Sequence, residues 1–213
     1  MRVIAIDGPA GSGKSTVARR LAERLGLAYL DTGAMYRAVA FAALRRGIDP
    51  GDEEPVTRMT EHLEITVDDG RVTVDGVDAS IEIRGPEVTR AVSAVAANRA
   101  VRAELVCRQR EWVARQDGGV VEGRDIGTVV FPDAELKAYL SARLEVRAGR
   151  RHQEVADMDY EAVAADMARR DTVDSEREAD PLFCADDALQ IDTSDRDIDE
   201  IVEELLAYLA TAS

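Results

Sequence analysis

The chain has 213 residues, 46% of them hydrophobic, and carries a formal charge of −15 at neutral pH. That length and apolar content suffice for one sizeable domain with a buried core. The acidic balance excludes a general nucleic-acid binder, which needs a broad positive field. No stretch approaches the roughly 18 consecutive apolar residues of a membrane span. Met1-Arg2 leads straight into an apolar run with no leader-like segment, so a cytoplasmic protein without a membrane partner is expected.

The apolar run Val3-Ile4-Ala5-Ile6 predicts a strand, and Val17, Ala18, Leu21, Ala22 and Leu25 are spaced as one face of a helix. Between them lies Gly8-Pro9-Ala10-Gly11-Ser12-Gly13-Lys14-Ser15-Thr16, a G-x-x-x-x-G-K-[ST] loop in the strand-to-helix setting that makes it a phosphate cradle. Gly11 and Gly13 let the backbone curl so that its N–H groups point inward, and the helix start adds a positive dipole end. Lys14 is then placed for the β- and γ-phosphates of a nucleotide, and the Ser15 hydroxyl for a Mg²⁺ ion.

Gly26 is a suitable helix stop, Leu27 to Leu30 reads as a short buried strand, and Asp31-Thr32-Gly33 as a capped turn. A second helix is expected from Ala34 to about Arg46, then a polar loop over Asp49 to Glu54. Leu63 to Val67 and Arg71 to Val74 alternate about Asp68-Asp69-Gly70, predicting a hairpin extended by a third strand over Ala79 to Ile83. Pro86 to Ala97 and Arg99 to Gln116 read as helices, Val120 to Gly123 and Leu136 to Leu140 as strands. Helices are expected over Ala142 to about Val155 and Tyr160 to Arg177, then a strand over Ala188 to Ile191. Ser194 with Asp197 suggests a capping box for a final amphipathic helix bearing Ile198, Ile201, Val202, Leu205, Leu206 and Leu209.

Strands alternating with helices predict an α/β fold with a central parallel sheet, and the antiparallel hairpin reads as an inserted lobe. In such sheets ligands bind beyond the carboxyl ends of the strands. The phosphate loop, Asp31-Thr32, Gly123-Arg124-Asp125 and the loop after Leu140 therefore belong to one edge.

Of the basic residues only Lys14 and Lys137 are lysines; the rest are arginines, several clustered as Arg143, Arg147, Arg150, Arg151 and as Arg169, Arg170, Arg177. An arginine fork suits phosphate because it donates two hydrogen bonds at once. Interleaving with Glu and Asp, as in Arg143-Leu144-Glu145-Val146-Arg147, is equally the pattern of a solvated helix face. Cys107 and Cys184, like His62 and His152, have no metal-ligand spacing, so free structural thiols are expected. The phosphate loop alone indicates a nucleotide and not a reaction. No [NT]-K-x-D segment is present, which argues against a GTPase switch. Kinases acting on UMP, AMP or shikimate, and a protein using ATP only as a switch, remain compatible at this point.

Several ordered motifs narrow the choice: I-D-G-P-A-G-S-G-K-S-T at 6–16, D-T-G-A-M-Y-R at 31–37, V-R at 101–102, E-G-R-D-I-G-T-V-V-F-P-D at 122–133 and R-R-D-x-x-D-x-x-R at 169–177. Over essentially its whole length the chain resembles the bacterial cytidylate kinases, P-loop nucleoside monophosphate kinases that phosphorylate CMP or dCMP with ATP. The resemblance implies a three-layer α/β/α kinase domain over 1–213. Its core would comprise 1–32, 119–142 and 186–213, its monophosphate-binding region 33–118 with a hairpin at about 62–84, and its short helical lid 143–178. It further implies that Thr32 and Arg37 face the CMP phosphate and that Ser93, Arg102 and Asp125 read cytosine, with Arg124 near the acceptor phosphate. Arg170 and Asp174 would hold the acceptor's ribose and phosphate, Arg177 would bridge the nucleotides, and Arg147 and Arg151 would clamp the donor phosphates. Lys14, Arg124, Arg151 and Arg177 would be catalytic; Gly8 to Thr16 would hold ATP; Ser15, with waters and a water-mediated Glu122, would hold Mg²⁺. A monomer is expected.

Overall fold

The computed structural model describes residues 1–68, 70–154 and 159–212; Asp69 of the expected hairpin turn and Val155 at the expected helix end lie outside them. The chain forms two compact units, Met1–Tyr29 with Gln116–Ser213, and Leu30–Arg115.

The first unit is organised on β1 (Arg2–Asp7), whose residues Val3 to Asp7 are all buried. A strand apolar at successive positions has no solvent face, which suits the middle of a parallel sheet. β1 pairs in parallel with β6 (Gly118–Gly123) on one side and β7 (Leu136–Ser141) on the other. With β8 (Leu189–Asp192) and β2 (Tyr29–Asp31) the five-stranded order is β2-β6-β1-β7-β8. The phosphate loop leads into α1 (Lys14–Leu25), which Gly26 ends in a left-handed conformation. Val17, Ala18, Leu21 and Ala22 of α1 share a core with Ile201, Val202, Leu205 and Leu209 of α8 (Ile198–Ala212) and with Ile4, Ile6, Leu140 and Ile191 of the sheet. Asp197 starts α8 by accepting from the Asp199 N–H, whereas Ser194 does not form the expected capping box. Its hydroxyl instead donates to Asp192 and accepts from the Arg143 N–H, tying the end of β8 to the segment that follows β7.

The helices α6 (Leu144–Glu154) and α7 (Tyr160–Glu176) pack through Ala148, Val163 and Met167, with Ala10 of the phosphate loop against the same cluster. After β6, residues Ile126–Val130 form a π-helical turn that sequence periodicity did not indicate.

In the second unit α2 (Thr32–Arg45) is buried along nearly its whole length, and its start is capped by Asp31, which accepts from the Ala34 N–H at 2.9 Å. The expected polar loop passes into α3 (Glu53–His62), a helix missed because only Val56, Met59 and Thr60 of it are buried. Its last carbonyls, of Thr60 and Glu61, and that of Leu63 accept from the Arg108 guanidinium on α5 (Arg99–Arg115). Asn98 begins α5 by accepting from the Ala100 and Val101 N–H groups, and its amide reaches back to the Glu53 carbonyl.

The hairpin forms as expected from β3 (Ile65–Asp68) and β4 (Arg71–Val74) in antiparallel register. The third strand is β5 (Val77–Asp78), not 79–83. Ala79 and Ile83 are buried while Ile81 is exposed, the spacing of a helical turn, and the Ile83 N–H donates to the Ala79 carbonyl. A short 3₁₀ turn (Glu82–Arg84) therefore leads to α4 (Pro86–Ala97), which starts with proline in the first turn. Among the described residues no helix is long and apolar enough to cross a membrane.

Truncating Leu21, fully buried in the core shared by α1 and α8, leaves a cavity its neighbours cannot fill. Leu21→Ala is expected to lower the unfolding free energy by about 2–5 kcal/mol in urea titrations. A loss within experimental error would show that this core is not close-packed.

Candidate active site

The phosphate loop takes its shape from glycine. Gly8 has φ of 150°, and a Cβ there would stand 2.1 Å from the Leu140 carbonyl oxygen, so only glycine lets the chain leave β1 past the end of β7. Gly11 has φ of 73°, and a Cβ there would press on Arg147 and Met167. The rest of the loop is tied down from behind. Thr193, just after β8, donates to the Ser12 carbonyl at 2.9 Å. Arg150 donates to the carbonyls of Gly11 and Thr193, and Arg147 to that of Ala10. With these carbonyls engaged behind the loop, the helix-start N–H groups remain the loop's contribution to an anion. Lys14 Nζ lies back over the loop, 3.3 Å from the Pro9 carbonyl.

At the carboxyl end of β6 the buried Glu122 carboxylate accepts from Ser15 Oγ at 2.8 Å and from the Tyr29 hydroxyl. A hydroxyl beside a buried carboxylate, at the start of α1, is a hard-oxygen donor set that suits Mg²⁺, an ion that takes few protein ligands and completes its shell with waters and phosphates. Ser15 is thus a fitting ligand, with Glu122 as the group behind it.

Arg124 and Asp125 follow on the same strand end, and both face α7. Arg124 Nε pairs with the buried Asp174 at 2.8 Å and its Nη1 donates to the Gly8 carbonyl. The Asp125 carboxylate lies 3.4 Å from Arg177 Nη2, whose Nε donates to the Asp180 carbonyl. Two ion pairs of opposite polarity therefore join the end of β6 to α7. Arg147 closes the group on the other side, pairing with Asp171 at 2.7 Å while almost fully buried.

Beneath this layer lies Asp7, the last residue of β1. Its Oδ1 accepts from the Ile126 N–H and its Oδ2 from the Gly127 N–H, each at 2.8 Å. Burial pushes its carboxyl up to about 6 against the two backbone hydrogen bonds; the nearby Asp125 adds to the rise and Lys14 opposes it. Burial, with the negative charges of Asp7, Asp186 and Asp187, also holds the Cys184 thiol above its usual range. Both cysteines are free, as expected.

In the second unit Thr32 is buried in the first turn of α2 and Arg37 follows on that helix, its Nη2 paired with Asp31 at 2.8 Å. Arg84 adds a longer contact to the same carboxylate at 3.7 Å. Arg102 on α5 is buried with its guanidinium 5.7 Å from the centre of the Tyr36 ring, and Ser93 lies partly buried on α4.

The motifs at 6–16, 31–37, 101–102, 122–133 and 169–177 are those of one family. A sequence profile described as cytidylate kinase matches residues 4–211. The chain belongs to the cytidylate kinase family. A cytidylate kinase of Mycolicibacterium paratuberculosis is 52% identical over 212 residues, covering 95% of this chain and 92% of the relative. One from Corynebacterium glutamicum is 50% identical over 219 residues, covering 99% and 95%. Among solved structures, a shikimate kinase from Acinetobacter baumannii shares the fold, with a TM-score of 0.50 at 16% identity over 99% of this chain and 94% of that one.

Of the residues anticipated from sequence, the structure joins Gly8 to Ser15, Arg124, Asp125, Arg147, Asp174 and Arg177 within the first unit by the contacts above. Arg151 and Arg170 lie half-buried on α6 and α7. Thr32, Arg37, Ser93 and Arg102 stand in the second unit on α2, α4 and α5. Sequence reasoning puts Asp31 at the ligand edge and Arg150 in an arginine cluster without a specific role for either, and passes over Asp7, Tyr29, Asp171 and Thr193. Asp7 carried one signal, an acid directly before the loop at the end of an apolar strand; Thr193 carried none.

The raised Asp7 carboxyl has a definite sign in stability. Between the unfolded value near 3.8 and the folded value of about 6 the folded chain binds more protons, so this group's contribution falls as pH rises through that window. The unfolding free energy of the wild type relative to Asp7→Asn is expected to drop by about 2 kcal/mol between pH 4 and pH 7 in parallel urea titrations. A pH-independent difference would show that burial does not perturb this carboxyl.

Proposed function

We propose that the protein transfers the γ-phosphoryl group of ATP to CMP or dCMP, giving ADP and CDP or dCDP. Membership of the cytidylate kinase family supports the reaction class, and one observation carries the base. A buried carboxylate, Asp125, stands at the end of β6, the strand beside the one that feeds the phosphate loop. Cytosine presents an exocyclic amine where uracil presents a carbonyl. A carboxylate accepts from the amine and repels the carbonyl, and a site that requires this hydrogen bond rejects the wrong base strongly.

In this reading Lys14 and the N–H groups of Gly8 to Thr16 hold the donor phosphates, with Arg147 and Arg151 adding charge from α6. Thr32 and Arg37 take the acceptor phosphate, and Ser93 and Arg102 assist Asp125 with the base. Arg124, Arg170, Asp174 and Arg177 orient the acceptor and compensate charge on the moving phosphoryl group. The acceptor phosphate oxygen is already ionised, so no general base is required; catalysis is positioning and charge stabilisation. Mg²⁺, held at Ser15 with waters and with Glu122 behind it, supplies neutralisation of the donor phosphates when bound. The ion pairs Arg124–Asp174 and Arg177–Asp125 keep their side chains ordered before any nucleotide arrives, which lowers the entropy lost on binding. We assign the protein to the cytoplasm as a monomer acting on free nucleotides.

A coupled ADP-release assay with CMP, dCMP, UMP and AMP as acceptors tests the reading. ADP release is expected to depend on CMP or dCMP, with CDP or dCDP as product; ATP turnover indifferent to the acceptor would overturn it. Lys14→Ala is expected to lower kcat by about 10²–10³-fold while the thermal unfolding curve is retained, as for loss of one preorganised donor. Asp125→Ala is expected to reduce the CMP-over-UMP preference in kcat/KM by about 10–150-fold, the worth of one hydrogen bond to a charged group. An unaltered preference would remove Asp125 from base reading.

A further inference from the structure

Asp7 is one residue short of the phosphate loop, is almost fully buried, and takes no part in the chemistry described above. In the parallel register of β1 and β6 it stands opposite Gly123, where β6 ends. Its side chain reaches past that point to the next turn, and both carboxylate oxygens are used, one on the Ile126 N–H and one on the Gly127 N–H. These are the first N–H groups of the π-helical turn, which the turn itself leaves without partners. Behind them the turn closes on itself: the Val129 and Val130 N–H groups donate to the Asp125 carbonyl and the Phe131 N–H to the Ile126 carbonyl.

The adjoining residue holds the other side. The Gly8 carbonyl accepts from Arg124 Nη1, so the dipeptide Asp7-Gly8 grips residues 124, 126 and 127 and leaves Asp125 bracketed between them. The backbone before Asp125 is fixed by the strand pairing that ends at Gly123 and the backbone after it by the Asp7 clamp, and such fixing matters because a displacement of about 1 Å costs as much as 10²-fold in a positioned contact. We infer that Asp7 is a positioning residue for base selection: by clamping the Ile126 and Gly127 amides it fixes the Asp125 carboxylate and so sets the preference for cytosine over uracil. The inference rests on Asp125 being the base reader.

Asp7→Asn tests it with little change of shape. An amide offers one acceptor oxygen and turns its NH₂ toward the second backbone donor, so one clamp bond is lost and replaced by a donor facing a donor. The measurement is the ratio of kcat/KM for CMP to that for UMP, which does not depend on the fraction of enzyme that is folded. Asp7→Asn is expected to lower this ratio about 10- to 100-fold, chiefly through KM for CMP. In the double variant Asp7→Asn/Asp125→Ala the ratio is expected to equal that of Asp125→Ala alone, because Asp7 acts through Asp125. Asp7→Glu provides a second route should Asp7→Asn fail to fold. It keeps the charge and both oxygens but lengthens the reach by one methylene, so the two backbone bonds cannot form in the same geometry, and it is expected to lower the ratio in the same direction.

A ratio left intact by Asp7→Asn or, where that variant does not fold, by Asp7→Glu, while Asp125→Ala changes it, would overturn the positioning role and spare the base-reading assignment. Losses that multiply in the double variant would also overturn it, since Asp7 would then act by a separate route. A ratio unchanged by Asp125→Ala itself would overturn the base-reading assignment, and this inference with it.

Discussion

The pairing of β1 between β6 and β7 is the constraint on which the first unit depends. In parallel register β1 and β6 end together, so Asp7 and Gly123 finish at one level beside Tyr139 of the longer β7, and the segments that leave β1 and β6 emerge side by side. The phosphate loop leaves from β1 and the Arg124-Asp125 turn from β6 with no further device needed to bring them together. Burial of successive β1 residues makes this register costly to shift, because a slip would strand the packed Ile4 and Ile6 away from α1 and α8.

An acidic protein that handles polyanions must build local positive ground against its own field. Four of its arginines are held by carboxylates: Arg124 by Asp174, Arg177 by Asp125, Arg147 by Asp171 and, in the second unit, Arg37 by Asp31. Each pair is largely buried, where removing one partner leaves an uncompensated charge and costs far more than a surface pair does. Their worth lies in order. A guanidinium already fixed by a carboxylate loses less freedom when a phosphate arrives, and its geometry is set by the fold and not by the ligand.

Much of this was readable in advance because it follows from local chemistry. The phosphate loop, the helix stop at Gly26, the hairpin 65–74 and the buried face of α8 are written in short-range patterns of glycine, alternation and helical spacing. The errors have equally local causes. The 79–83 segment was read with the period of a strand although Ala79 and Ile83 bury at helical spacing; α3 hides a weak apolar face behind acidic residues and Pro55; Ser194 resembled a cap but serves β8. The candidate site residues rest on ordered motifs, since a single helical arginine such as Arg147 looks the same whether it is a solvated charge or, as here, a buried brace for the phosphate loop.

The sequence by itself determined the nucleotide loop, the α/β alternation and the family, because these depend on residue types at fixed short spacings. Only the tertiary structure decided that Asp7 clamps the turn carrying Asp125, that Thr193 and Arg150 brace the loop, and that Arg124 and Asp125, just after β6, are cross-paired with Asp174 of α7 and Arg177 at its end. These contacts join residues more than a hundred positions apart in some cases and fifty in others. No local spacing encodes them. They exist because parallel strand ends converge, and a buried carboxylate or guanidinium placed there must find its partner wherever the chain supplies one.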